Sequence, residues 1–251
     1  MQAALSGMQQ ASELALKARV AEISPYLLIG GAPKLSSKPN DIDFADFRSL
    51  DAHDLPAAVN SFSRETLSDL FLQDYKEMRG LRNKVVHLGS VDRHFNPDDL
   101  LARMARQFTE LWPGRRWLVE RLSHAKRGRY AFFHDGKYSS AEGEVFAELE
   151  DTFSHFGKAQ FKQLIGFEKG ARRYLCPTCL YNSEARNAGL DLTTCRTAFL
   201  SPDRANVTCA MCEGEFKITR TECADTDCKG DVSHEAPDDA PFCLTCGHYS
   251  E

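Results

Sequence analysis

All nine cysteines of this 251-residue chain lie between Cys176 and Cys246, and the larger part of the chain, ahead of Cys176, holds none. A chain stapled by disulfides has no reason to leave its larger part without them, so thiols gathered at one end read as a local framework. Their spacing is paired. Cys176 and Cys179 frame "CPTC", and Cys209 and Cys212 frame "CAMC". Cys223 and Cys228 follow in "CADTDC", then Cys243 and Cys246 in "CLTCG". Two tight turns that each aim two sulfurs at one point meet the tetrahedral demand of a structural zinc ion.

The simplest partition is two zinc ribbons in tandem, with two structural ions per chain. Crossed pairing of the four turns satisfies the same count. Cys195, His234 and His248 are spare candidate ligands, and Cys195 reads as a buried thiol. A catalytic zinc needs an open coordination position, which eight paired cysteines do not leave. Four pairs in ribbon order also argue against a dithiol redox function. Metal would explain how a segment with few large apolar residues stays folded.

The cysteine boundary divides the chain into a helical domain over 1–170 and a zinc-ribbon module over 171–251. Charge shifts at the same place, with 23 basic and 23 acidic residues before it and 8 and 13 after it. No basic leader followed by a long apolar run is present, and no window is apolar enough to span a membrane, so the expected location is the cytoplasm. The fold class is mainly α, a helical bundle followed by a small β-rich module.

Ahead of that boundary, Leu5, Met8, Leu16, Val20 and Ile23 recur at helical spacing, closed by Pro25. "GGAPKLSSKPN", residues 30–40, reads as a loop. From Arg64 onward Phe71, Met78, Leu81, Val85 and Leu88 mark one apolar stripe, with Gly89 as the stop. A third helix starts with Asn96 as N-cap, Pro97 at the first helical position, and Asp98 and Asp99 in the first turn; Trp112 and Pro113 end it. "FFHDGKY" carries a hairpin-type Asp-Gly pair. Ser139 and Glu142 read as a capping box ahead of Val145, Phe146, Leu149 and Phe153.

An arginine followed five positions later by a histidine occurs three times, at Arg48 and His53, Arg82 and His87, and Arg129 and His134. Only the middle copy lies in a long amphipathic helix, places an amide, Asn83, after the arginine and ends one turn before a glycine. Asn83 and His87, four residues apart, share a helix face, whereas Arg82 and His87 diverge by about 140°. One helix does not enclose such a site, and two facing copies could.

"GLRNKVVH" resembles the signature of HEPN domains, helical bundles in which an arginine, then about four to six residues, then a histidine ends a core helix and the first intervening residue is commonly polar. "ELALKARVAEISPYLL" is similar to the first helix of such domains. The resemblance covers roughly residues 1 to 165. It implies a homodimer through the N-terminal domain, a composite cleft and metal-independent RNA cleavage, with Arg82, Asn83 and His87 as catalytic residues; a toxin or antiviral defence role follows by analogy only.

The residue types suit that chemistry independently. Attack of a ribose 2′-hydroxyl on its own phosphate needs a proton acceptor, a proton donor and positive charge on the non-bridging oxygens. Histidine performs the first two near neutral pH, and arginine, always charged and bidentate toward phosphate, the third. The helix C-terminus favours imidazolium at His87. The alternative for these residues is a solvated helix end, with Arg82 on a carboxylate and His87 on a carbonyl.

Between residues 103 and 129 eight basic side chains face two acidic ones, a net +6, with aromatics interleaved. Arg103, Arg106, Arg115, Arg116, Arg127 and Arg129 are therefore candidates to track an RNA backbone, against the alternative of an ordinary charged helix face. The ribbons are acidic and their all-thiolate sites add about −2 each, so they suit a protein partner or substrate placement better than duplex DNA. The second functional reading is a non-catalytic dimerisation module with a zinc-ribbon adaptor or sensor, and a weaker third is a transcription regulator.

Overall fold

The computed structural model describes residues 2–31, 47–88, 96–127, 140–183, 189–234 and 241–249. The chain divides into two compact units, Met1–Pro113 and Gly114–Glu251. Position 170 falls inside the second unit: it marks where the cysteines begin, not where that unit begins.

The first unit is built on α1 (Gln2–Ile23), which packs against α2 (Leu55–Phe62), α3 (Asp69–Leu88) and α4 (Pro97–Leu111). A 3-10 turn at Pro25–Leu28 follows α1, as a proline that ends one helix and starts a tighter turn allows. Two short strands, β1 (Ile29–Gly31) and β2 (Arg48–Ser49), pair antiparallel. The expected loop at 30–40 thus begins inside β1, and its remainder lies outside the described residues.

Leu16, Val20, Leu55, Val59, Phe71 and Tyr75 form the main core. Leu5, Met8, Met78 and Leu100 form a second cluster. The stripe read on α3 faces a core at Phe71, Met78 and Leu81, the side chains of Val85 and Leu88 lying outside the described residues; the helix starts at Asp69 rather than near Arg64, and α2 precedes it as a separate element. Asn96 caps α4 by accepting from the Asp98 N–H at 3.0 Å, and Trp112 closes it.

The second unit begins with α5 (Trp117–Arg127), α6 (Ala141–His155) and α7 (Lys158–Ile165). The cap of α6 is Ser140, whose hydroxyl accepts from Gly143 N–H at 2.9 Å. The expected cap, Ser139, and the Asp-Gly hairpin at 132–138 lie outside the described residues. Next come β3 (Arg173–Leu175), α8 (Pro177–Ser183), β4 (Arg196–Leu200), β5 (Asn206–Cys209) and β6 (Glu215–Lys217), with β3-β4-β5-β6 as one antiparallel sheet. β7 (Thr219–Arg220), β8 (Val232–His234) and β9 (Phe242–Cys243) make a smaller antiparallel sheet.

Phe199 of β4 stacks on Phe167 at 4.2 Å and meets Phe161 of α7 edge-on at 6.3 Å. The cysteine-bearing sheet thereby shares an apolar core with the helices before it, which supplies burial that its own short strands lack. The fold is mainly α with small antiparallel sheets in the C-terminal part. Among the described residues no helix is long and apolar enough to cross a membrane.

Candidate functional site

The eight paired cysteines converge on two points. Cys176, Cys179, Cys209 and Cys212 form one group and Cys223, Cys228, Cys243 and Cys246 the other, with the sulfurs of each group within 4.8 Å of one another. The grouping is sequential, so of the two partitions open from spacing the uncrossed one is found. Sulfur pairs lie 3.6 Å apart (Cys176 and Cys212), 3.8 Å (Cys179 and Cys209), 3.6 Å (Cys223 and Cys246) and 3.9 Å (Cys228 and Cys243). A disulfide would hold two sulfurs about 2.05 Å apart. Both groups are positioned to hold a metal ion.

Backbone geometry explains the convergence. After Cys209, the chain turns back so that Glu213 N–H reaches the Cys209 carbonyl at 3.0 Å, with Glu213 in the left-handed region at φ 59°. After Cys243, Gly247 makes the equivalent bond at 2.8 Å and φ 82°. The same knuckle is thus built twice, once with glycine and once at the cost a non-glycine residue bears there. Amide groups point at the sulfurs: Met211 N–H to Cys209 Sγ at 3.3 Å, Cys179 N–H to Cys176 Sγ at 3.5 Å, and Gly230 N–H to Cys228 Sγ at 3.3 Å. The Thr197 hydroxyl lies 3.3 Å from Cys209 Sγ.

Crowding four thiols splits their acidities. Cys179 is pushed up by its bonding to Cys176, Cys209 and Cys212 and by burial, while Cys212 is held down by bonds from Cys176, Cys179 and Cys209. A cation among the sulfurs removes that conflict, because it lets all four ionise together.

Neither cluster includes the spare candidates. Cys195 is a buried thiol 3.4 Å from the Asp191 carbonyl oxygen. His234 uses Nδ1 at 2.8 Å from the Lys217 carbonyl and packs edge-on against Phe216. His248 contributes its backbone carbonyl, which accepts from Cys243 N–H at 2.8 Å.

Arg82 and Asn83 are exposed on α3, and the Arg82 guanidinium donates to Asn83 Oδ1 at 3.2 Å. Among the described residues no carboxylate pairs with Arg82. Position 87 belongs to the last turn of α3, and the His87 side chain lies outside the described residues. Of the other two arginine and histidine pairs, Arg48 is bound to Asp51 at 2.7 Å and His53 to Asp54 at 3.1 Å; the Arg129 and His134 pair falls outside the described residues.

No known family's sequence pattern, no curated protein and no solved structure matches this chain.

The basic stretch is largely engaged within the molecule. Arg106 grips buried Asp74 with Nε at 2.7 Å and Nη2 at 3.1 Å, and Arg103 reaches the same carboxylate at 3.0 Å. Arg115 pairs with Glu120 at 2.8 Å, Arg116 lies over the Phe167 ring at 5.6 Å, and Arg127 Nε donates to the Ser123 carbonyl at 3.3 Å. Arg129 lies outside the described residues. A phosphate at Arg103, Arg106 or Arg115 has to displace a carboxylate first.

Proposed function

We propose that this chain is a metal-independent endoribonuclease of HEPN-like type, cytoplasmic and dimeric, whose two zinc ions are structural. The observation that carries the reading is the pairing of Arg82 with Asn83 on an exposed helix face, with no carboxylate on the guanidinium among the described residues. An exposed arginine held by a neutral amide, one turn before a histidine, suits the binding of a phosphate. Arg82 stabilises the charge on the non-bridging oxygens, His87 moves the protons, and Asn83 orients the phosphate or the imidazole. Arg82 and position 87 diverge on one helix, so a second copy completes the cleft.

Zinc is favoured for the cysteine clusters because of size and softness. Four thiolates at the usual Zn–S distance of about 2.3 Å have their sulfurs about 3.8 Å apart, and the closest sulfur pairs here span 3.6 to 3.9 Å. When bound, such an ion supplies folding free energy and no open coordination position. By analogy the activity serves as a toxin or antiviral defence effector, with the ribbons placing substrate or a protein partner.

The test is cleavage of an RNA pool by zinc-loaded protein in a mild chelator. The expected products carry 2′,3′-cyclic phosphate ends, and Arg82→Ala or His87→Ala abolishes cleavage while His53→Ala and His134→Ala leave most of it. Cleavage that survives His87→Ala in a folded protein refutes the reading. A second reading, a non-catalytic dimerisation and zinc-ribbon adaptor, draws support from the capture of Arg103 and Arg106 by Asp74, which spends basic charge on stability instead of RNA. A folded dimer inactive on every RNA would favour it.

A further inference from the structure

A cleft of about 510 Å³ opens between α2 and α3 in the first unit. Its lining includes three basic side chains, His53, Lys76 and Arg79, and no acidic one. His53 is paired with Asp54, so the free charge of the cleft comes from the other two. Unlike Arg103 and Arg106 on α4, Lys76 and Arg79 have no carboxylate partner among the described residues. Tyr75, at the base, donates its hydroxyl to the Ala52 carbonyl at 2.9 Å. Burial pushes that phenol up to about 12, so it adds no negative charge to the cleft near neutral pH. The lining is therefore cationic, with Asp51 and Asp54 clustered beside His53 at its rim.

Leu72, Lys76, Arg79 and Asn83 follow one another at spacings of four, three and four, which places them on one face of α3. Position 87, four further on, continues that face. From Lys76 to Asn83 the helix rises about 10 Å, longer than a single phosphate group. A small anion would satisfy one end of this row, and only a chain of phosphates satisfies all of it. The volume suits one nucleotide and excludes a duplex.

We propose that this cleft is a substrate-anchoring subsite, in which Lys76 and Arg79 hold the backbone of a single RNA strand a short way along α3 from the group cleaved at positions 82–87. The choice of RNA as ligand rests on the ribonuclease reading. Lys76 and Arg79 are positioning residues: they fix the strand and take no part in proton transfer.

The experiment measures binding of a fluorescent 2′-O-methyl oligoribonucleotide, which lacks the attacking hydroxyl, to the full-length zinc-loaded dimer. The Lys76→Gln/Arg79→Gln double variant should weaken binding roughly tenfold and lower the slope of log affinity against log salt by about 1.4, the value for two phosphate contacts on a single strand. Arg64→Gln/Lys158→Gln removes the same charge outside the cleft and should change binding less than threefold. Equal losses in both double variants, or no loss in the first while its thermal unfolding is unchanged, overturn the subsite. So does binding of inorganic phosphate or AMP in the cleft, followed by calorimetry, without any binding of the oligomer. Cleavage of ordinary RNA is followed in parallel: cleft-dependent binding without cleavage sinks the catalytic reading and leaves the subsite standing, and cleavage indifferent to the cleft does the reverse.

Discussion

The two cysteine clusters have the same donor set and the same knuckle turn, yet they are embedded differently. In the first, Cys176, Cys179 and Cys209 are buried, and the four-stranded sheet that carries Cys209 and leads into Cys176 is tied to α7 through Phe199 and Phe161. In the second only Cys243 is buried, and its three strands are two or three residues long. The first sheet, tied into the helical core, should keep more of its structure without an ion than three strands that short, whose own buried apolar side chains are Val232, Phe242 and Leu244. The same donor set thus completes a large core in one place and reinforces a small one in the other.

The comparison breaks or holds first on cysteine removal. Cys209→Ser deletes a ligand at the centre of the buried site and should unfold most of the second unit, a loss on the order of several kcal/mol. Cys228→Ser should remove one zinc and disorder only the segment around β7–β9. With a chromophoric chelator, the intact protein should release its ions in two steps, the second cluster first. Simultaneous release would show that the sites act as one, and there is a route for that: Leu175 N–H, next to Cys176, donates to the carbonyl of Leu244, next to Cys243, at 2.8 Å.

A smaller effect separates two glycines beside the ligands. A Cβ on Gly230 would meet Thr245 Cβ and Oγ1 at 2.7 Å and Cys243 Sγ at 3.0 Å, and none of these moves without the knuckle. A Cβ on Gly214 would meet the far end of the Phe216 ring, which is half-buried and can swing away, at 2.9 Å, and Cys212 Sγ at 3.3 Å, a looser approach than that of Gly230 to Cys243. Gly230→Ala should cost about 2 kcal/mol by thermal unfolding and loosen the second zinc, and Gly214→Ala less than about 1 kcal/mol. Equal costs would mean that the two knuckles are equally constrained.

Much of this was legible from residue spacing. The cysteine pairs, the Asn96 cap and the end of α4 at Trp112 are local signals, and each is found where expected. Helix α2 escaped because "LPAAVNSF" gives only two turns, too short for periodicity to register. Ser139 and Ser140 are chemically equivalent as caps, and only the path of the chain selects the second. The charge count over 103–129 could not reveal that Arg103 and Arg106 share Asp74, a carboxylate on a different helix. The cleft was present as Leu72, Lys76 and Arg79 on one helical stripe, but its opposite wall comes from α2.

The finest difference between the clusters is a hydroxyl. Thr197 is fully buried and places its Oγ1 3.3 Å from Cys209 Sγ, so that it can donate to the sulfur once it is a thiolate. Such a bond spreads the thiolate charge and orients the ligand, and losing one typically weakens metal binding by about tenfold or somewhat more. Thr197→Val keeps the shape and removes the donor. Affinity for the first zinc should fall about tenfold, equivalent to about 1.4 kcal/mol, with the second unchanged. Competition with a chelator of known affinity reads both ions separately. A loss shared by both sites would mean that Thr197 acts by holding the whole unit together, and no loss at either would mean that the hydroxyl does not support Cys209.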